Sequence, residues 1–137
     1  DGAIGYVEYA YALQNKLKAA KIKNKDGNFV VPSSESFQEA ALNAKWERAD
    51  HFYLILSDQP GKDSWPITGA SFILIHKNQQ NFEKAKTMLQ FFDWCFREGS
   101  KFALELDYIP IPENVYNMIE KVWSEKIVSG GKKVWSN

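Results

Sequence analysis

The stretch SWPITGASFILIHK, residues 64–77, decides how the fold is interpreted. Its second half, Phe72 to Ile75, is apolar at every position, which is typical of a strand that is covered on both faces in an α/β sheet. We therefore expect a central strand directly behind Trp65-Pro66 and Thr68-Gly69.

The composition of the 137-residue chain does not favour a nucleic acid or an anionic membrane as partner. Seventeen Lys and Arg residues balance seventeen Asp and Glu residues, and 45% of the chain is hydrophobic, which is enough for one core. No apolar run reaches the roughly 20 residues of a membrane-spanning helix. Because the chain begins Asp1-Gly2 without a Met or a leader, we expect it to be cut from a longer protein.

Local patterns in the first part of the chain predict alternating strands and helices. They indicate a buried strand over 3–7, a helix carrying Tyr9, Leu13 and Leu17, a hairpin with its turn at Asp26-Gly27, a helix beginning at 33–36, and a short strand over 51–56. The residues 57–64 form a loop by their Pro-Gly and small polar composition.

The second part of the chain is mostly helical after the central strand. A stripe of apolar residues predicts a helix that begins at Asn81 and ends at Gly99 in a left-handed cap. A short helix over 100–106 and a longer helix after Pro112 follow, and the tail after Val128 is expected to be loose. This order predicts an α/β fold whose sheets are incomplete, because the central strand has few partners in the chain.

Few residues of this sequence suggest catalysis or metal binding. His51 and His76 have neither cysteine partners nor a helical i,i+4 spacing, so we expect no metal site. Cys95 lies in an apolar helical stripe and is interpreted as a buried hydrophobic residue. Glu8 lacks a partner carboxylate and is interpreted as a residue at a helix N-terminus. No cofactor and no catalytic residue are predicted.

Two small-residue motifs and the aromatic residues leave other binding functions open. The motifs Thr68-Gly69-Ala70-Ser71 and Ser129-Gly130-Gly131-Lys132 have free amides for an anion, but neither precedes a helix as a phosphate loop does. Five Trp and six Tyr residues keep a carbohydrate-binding module as an alternative. A phosphatase-like enzyme is the other alternative, although it would need a nucleophile or a metal cluster.

Four motifs together resemble one known family. They are GAIGYVEYAYA, SWPITGASFILIHK, LQFFDWCFREG and LDYIPIPENV, in this order along the chain. In sequence and spacing they resemble the C-terminal part of the phosphate-binding proteins of the Pst-type phosphate ABC transporter. The resemblance extends from Gly2 to about Ile127.

The resemblance implies a type II periplasmic-binding-protein fold with two α/β lobes. Residues 1–59 would be the terminal piece of the second lobe, 60–68 the loop and inter-lobe crossing segment, and 69–137 the returning C-terminal part of the first lobe. The hinge would comprise Trp65, Pro66, Ile67 and Thr68. None of the family's phosphate ligands has a matching position here, so the ligands are expected in a preceding N-terminal part.

The resemblance also implies the function and the partners. The whole protein would be a non-catalytic solute-binding protein that captures inorganic phosphate and delivers it to ABC permease subunits. It would be periplasmic, or lipid-anchored on the outer face of the membrane. An N-terminal fragment or a swapped second copy would pair with the incomplete sheets.

Overall fold

The helices of the chain form where the sequence places caps and apolar stripes. The computed structural model describes residues 2–136. Its α-helices are α1 (Tyr9–Gln14), α2 (Ser34–Leu42), α3 (Phe82–Arg97), α4 (Ser100–Glu105) and α5 (Glu113–Lys126). Two 3-10 turns, Trp46–Arg48 and Asp50–Phe52, follow α2.

The strands are short and form two small sheets. They are β1 (Ile22–Lys23), β2 (Phe29–Val30), β3 (Asn78–Gln79), β4 (Val128–Ser129) and β5 (Lys132–Lys133). Strands β1 and β2 pair as an antiparallel hairpin, whereas β4 pairs in parallel with β3 and antiparallel with β5. The predicted α/β class with incomplete sheets is confirmed.

Two hydrophobic clusters share the long helix α5. The first cluster contains Ala41, Ala44, Trp46, Leu56 and Val115. The second cluster contains Ala85, Leu89, Trp123, Ile127 and Val134. Helix α5 contributes Val115 to the first and Trp123 to the second, and the intervening Ile119 packs against both. The segment 41–56 and the C-terminal part of the chain are therefore joined through one helix.

Several local predictions are confirmed. The hairpin with Asp26-Gly27 in its turn is confirmed, and Gly27 has a positive φ of 86°; the turn has three residues, 25–27, instead of the expected two, because Asn24 and Asn28 still pair through their backbones. Ser33 caps α2 in a capping box with Ser36, and the Asn81 side chain accepts a hydrogen bond from the amide of Lys84 at the start of α3.

Two predicted strands are wrong for the same physical reason. The segment 3–7 forms no strand, and Ile4 and Tyr6 are almost fully exposed. The segment 72–75 also forms no ladder, and Leu74 is 94% exposed. A strand needs a neighbour that accepts and donates its backbone hydrogen bonds, and among residues 2–136 neither segment meets one.

Three further expectations are corrected. Residues 51–56 begin in a 3-10 turn and not in a strand, because His51 and Phe52 have positive φ values of 52° and 60°. Gly99 has a φ of −74°, so it is no left-handed cap; a Cβ there would lie 2.7 Å from the Cys95 carbonyl oxygen. The tail is ordered, since Gly130-Gly131 turn the chain and Val134 is buried.

Within residues 2–136, the helices are too short or too polar to cross a bilayer.

Candidate functional site

The predicted hinge residues are held against the N-terminal half of the chain. Trp65 is buried, its backbone N–H donates to the Ser36 carbonyl at 2.9 Å, and its ring lies edge-on to Phe37 with 6.3 Å between centroids. The Thr68 hydroxyl is buried and donates to the Trp65 carbonyl at 2.9 Å. Only Ile67 extends its side chain well into solvent. Trp65 is thus bonded to helix α2, and Thr68 is bonded to Trp65.

Asn24 holds the loop that precedes this segment, and sequence reasoning missed it. Its amide nitrogen lies 3.1, 2.8 and 3.2 Å from the carbonyl oxygens of Gly61, Lys62 and Ser64. Its amide oxygen accepts from the N–H of Asn28 at 2.9 Å. The only signal in the sequence is an Asn two residues before an Asp-Gly turn, which does not reveal a contact 40 residues away.

The same loop approaches the β1–β2 hairpin through Gly61. The Gly61 N–H donates to the Asp26 carboxylate at 3.1 Å, and the Ser64 hydroxyl donates to the Pro60 carbonyl at 2.7 Å. Gly61 has a φ of +115°, and a Cβ there would lie 2.6 Å from both Asn43 Nδ2 and Ser64 Oγ. Glycine is therefore required for the close approach as well as for the backbone conformation.

Between Thr68 and Ile75 the chain packs against the two hydrophobic clusters only at Ala70. A Cβ at Gly69 would meet no atom within 4 Å. Ala70 packs against the first cluster and Ile75 against the second, while residues 71–74 between them are exposed. Apart from Ala70, the residues from Gly69 to Leu74 are therefore exposed.

A polar network joins α3, α5 and the C-terminal hairpin. Arg97 Nε donates to the Asp93 carboxylate at 2.8 Å, and Arg97 Nη2 donates to Glu120 at 3.3 Å. The Tyr116 hydroxyl also donates to Asp93, and the indole N–H of Trp135 donates to Glu120 at 3.4 Å. Arg97 is thus paired with two carboxylates.

The network changes the acidity of its members in opposite directions. Burial by itself raises the pKa of Asp93, but hydrogen bonds from Tyr116 and Arg97 and the Arg97 charge outweigh it and lower that pKa. Burial, the hydrogen bond to Asp93 and the nearby carboxylate charges raise the pKa of Tyr116 strongly.

Two clefts in the described part of the chain mix positive and negative charge. The larger, of about 390 Å³, lies between α5 and the turn Asp50–Phe52. Its charged lining residues are Glu47, Asp50, His51, Lys77, Lys121, Glu125 and Lys126. The smaller, of about 330 Å³, is bordered by Arg97 and Glu113. Carboxylates accompany the cations in both clefts.

Other predicted candidates also lie apart from one another. His51 lies beside the Asp50 carboxylate at 3.3 Å, His76 is exposed, and Cys95 is half-buried in α3. Glu8 stands at the N-cap of α1 without a side-chain capping bond. In the part of the chain that the structure describes, His, Cys, Asp and Glu residues do not come together in a metal-binding group.

The tryptophans do not form a sugar-binding platform. Trp46, Trp65 and Trp123 are buried in the protein, whereas Trp94 is 45% exposed. A platform for a sugar ring needs exposed and roughly coplanar rings. Trp94 is stacked with Phe91 at an interplanar angle of 20°.

Comparison with known proteins identifies relatives along most of the chain, although no family model matches. The phosphate-binding protein PstS of Pasteurella multocida is 50% identical over 134 residues, which is 97% of this chain. Those of Haemophilus influenzae and of Xylella fastidiosa strain Temecula1 are 49% and 46% identical over 91% of this chain.

The chain spans only 39%, 37% and 34% of the length of these three relatives. Identity at this level over nearly the whole chain is far more specific than any one of the four motifs. The chain belongs to the PstS family of phosphate-binding proteins and corresponds to their C-terminal portion.

Proposed function

We propose that this chain is the C-terminal portion of a solute-binding protein that captures inorganic phosphate for an ABC importer. The observation that carries the proposal is the 45–50% identity to PstS proteins over 91–97% of the chain. These relatives are named as binding proteins, so the proposed role is capture without catalysis. The partners would be phosphate and the permease subunits, and the location would be the periplasm or the outer face of a membrane.

Within such a protein, this chain would supply framework and hinge, and the phosphate ligands would come from elsewhere. Specific burial of a phosphate needs several converging donors and commonly an Arg fork. Here Arg97 is paired with Asp93 and Glu120, and Arg48 is exposed. These contacts support the expectation that none of the phosphate ligands lies in this portion.

The proposed division into 1–59, 60–68 and 69–137 has support from the hydrogen bonds around the loop. Asn24 and Ser36 bind the stretch from Gly61 to Trp65, so the crossing segment would move with the second lobe. We keep Trp65, Pro66, Ile67 and Thr68 as the hinge region and place its pivot at the C-terminal end, where Gly69 has open space. A rotation there would leave the bonds of Trp65 and Thr68 intact.

The exposed extended segments suggest where the rest of such a protein would pair. Residues 4–7 and 72–74 have apolar side chains and unpaired backbone. An added strand would satisfy these backbone groups. An N-terminal fragment or a swapped second copy would provide such strands.

The test is isothermal titration calorimetry with inorganic phosphate on two proteins. The first is this chain, for which we expect no binding. The second is a graft in which this chain replaces the segment it matches in the Pasteurella multocida relative, and this graft should bind phosphate with micromolar affinity or better. Sulfate serves as the control anion.

Two results would refute the proposal. Micromolar binding by the chain alone would place the phosphate ligands within it. A graft that is folded by circular dichroism but does not bind phosphate would show that this chain cannot take the place of the family's C-terminal portion.

A further inference from the structure

Helix α3 carries two exposed aromatic residues away from its buried stripe. Ala85 and Leu89 are buried in the second cluster. Phe91 and Trp94 point away from that cluster and are 56% and 45% exposed. A helix at the surface of a protein usually has one apolar stripe that faces the core, so exposed aromatic residues outside that stripe need another explanation.

The outer face of α3 continues onto α4 as one aromatic surface, formed by Phe91, Trp94 and Phe102. The rings of Phe91 and Trp94 are stacked with 6.3 Å between centroids, and Trp94 lies 6.0 Å from Phe102, which is 46% exposed. The Lys101 ammonium lies 5.1 Å from the Phe102 centroid at the border of this surface. Three adjoining rings from two helices thus present one apolar surface.

The size of the aromatic surface argues against a second copy as its occupant. A fully covered aromatic side chain buries 150–250 Å², so three half-exposed rings offer about 300 Å². Two copies would bury about 600 Å² in total, roughly half of the 1,200 Å² of the smallest stable interfaces. A contact within one polypeptide has no such threshold, because it does not lose the translational freedom of a separate molecule.

We propose that the aromatic surface is covered by an uncharged apolar segment in the portion of PstS proteins that this chain does not span. The inference rests on the proposed function, which places this chain inside such a protein. That portion is the larger one, since the chain accounts for 39% of the Pasteurella multocida relative. The contact would fix α3 and α4 against the rest of the lobe.

The experiment compares the chain alone with the graft described above by hydroxyl-radical footprinting and mass spectrometry. We expect oxidation of Phe91, Trp94 and Phe102 to fall several-fold in the graft. Trp46 and Trp123 are buried in both proteins and serve as internal references. As a second measurement, Trp94→Ser should lower the Tm of the graft and leave that of the chain alone nearly unchanged.

Equal oxidation of the aromatic surface in both proteins, together with equal effects of Trp94→Ser, would overturn the inference. If the graft does not fold, sedimentation velocity of the chain alone still decides: concentration-dependent dimers that Trp94→Ser abolishes would make a second copy the occupant. A graft that binds phosphate while the surface stays exposed refutes this inference alone. A graft with a protected surface and no phosphate binding refutes only the proposed function.

Discussion

Replacing Asn24 by Ala tests whether one side chain holds the loop 60–64 to the β1–β2 hairpin. The amide group of Asn24 is buried and bonds to three carbonyl oxygens and to one backbone N–H. Its nitrogen has two hydrogens, so the three carbonyls share two donors. Three net hydrogen bonds at roughly 1 kcal/mol each predict a loss of about 3 kcal/mol in the free energy of unfolding.

The matched control is Asn28→Ala in the same hairpin. The Asn28 side chain donates only to the Asp26 carbonyl, at 3.4 Å and in an exposed position. Its removal should change the free energy of unfolding by less than about 0.5 kcal/mol. The hydrogen bond from the Asn28 backbone N–H to Asn24 remains in this control variant.

The assay is urea unfolding followed by tryptophan fluorescence, which reports on the buried Trp65 beside the loop. With a slope of 1–3 kcal/mol/M, Asn24→Ala should lower the urea midpoint by roughly 1–3 M. A third variant, Asn24→Asp, keeps the acceptor for Asn28 but places a carboxylate against carbonyl oxygens, so it should be at least as unstable at pH 7. If Asn24→Ala lies within about 0.5 kcal/mol of Asn28→Ala, the loop is held by other contacts and the reasoning is wrong.

Three further variants test other contacts by the same unfolding assay. Asp93→Asn should lower the free energy of unfolding at pH 7 by about 1 kcal/mol. The pKa of Asp93 is lowered in the folded protein. The ionised Asp93 therefore stabilises the fold above the unfolded pKa of about 3.9, and this stabilisation is lost as the pH falls through the folded pKa. If the difference in free energy of unfolding between Asp93→Asn and the unchanged chain is as large at pH 2 as at pH 7, this reasoning is wrong. Gly61→Ala should be destabilising by about 2 kcal/mol from its φ of +115° and its 2.6 Å contacts, whereas Gly5→Ala, with open space, should be neutral; equal effects would show that the loop relaxes. Val134→Ala should be destabilising by about 1.5 kcal/mol if the C-terminal hairpin is packed, and no difference from the exposed Lys133→Ala would mean that the tail is loose after all.

The predictions that rest on neighbouring residues agree with the structure. The cap at Ser33, the start of α3 after Asn81 and the turn at Asp26-Gly27 depend on groups within a few positions along the chain. These local hydrogen bonds do not depend on how distant parts of the chain pack. The residue types alone therefore predict the caps and the turn.

The errors concern contacts between distant residues. Gly99 follows a helical stripe as a C-terminal cap would, yet the packing of α4 against α3 gives it an ordinary negative φ. The tail after Val128 looks polar and glycine-rich, yet β4 finds β3 about 50 residues earlier in the chain. The residues around Lys132 and Val134 predict neither the pairing of β4 with β3 nor the burial of Val134.

The candidate site shows the same division. The sequence and its resemblance point to Trp65–Thr68 as the hinge, and this remains a proposal. Asn24 and Gly61 hold the loop before that segment. Sequence reasoning missed them because Asn24 bonds to Gly61, 37 residues later, and Gly61 bonds to Asp26, 35 residues earlier. The pairing of Arg97 with Glu120 was missed because it joins two helices.

By itself, the sequence determined the helices, the first hairpin and the membership in the PstS family, because caps, turns and apolar stripes act over a few residues. Only the tertiary structure decided which apolar segments become strands and which polar side chains are buried. Phe72–Ile75 has every residue that a buried strand needs, yet it stays unpaired within residues 2–136. The reason is that a strand exists only through hydrogen bonds to another strand, and a segment cannot encode its partner.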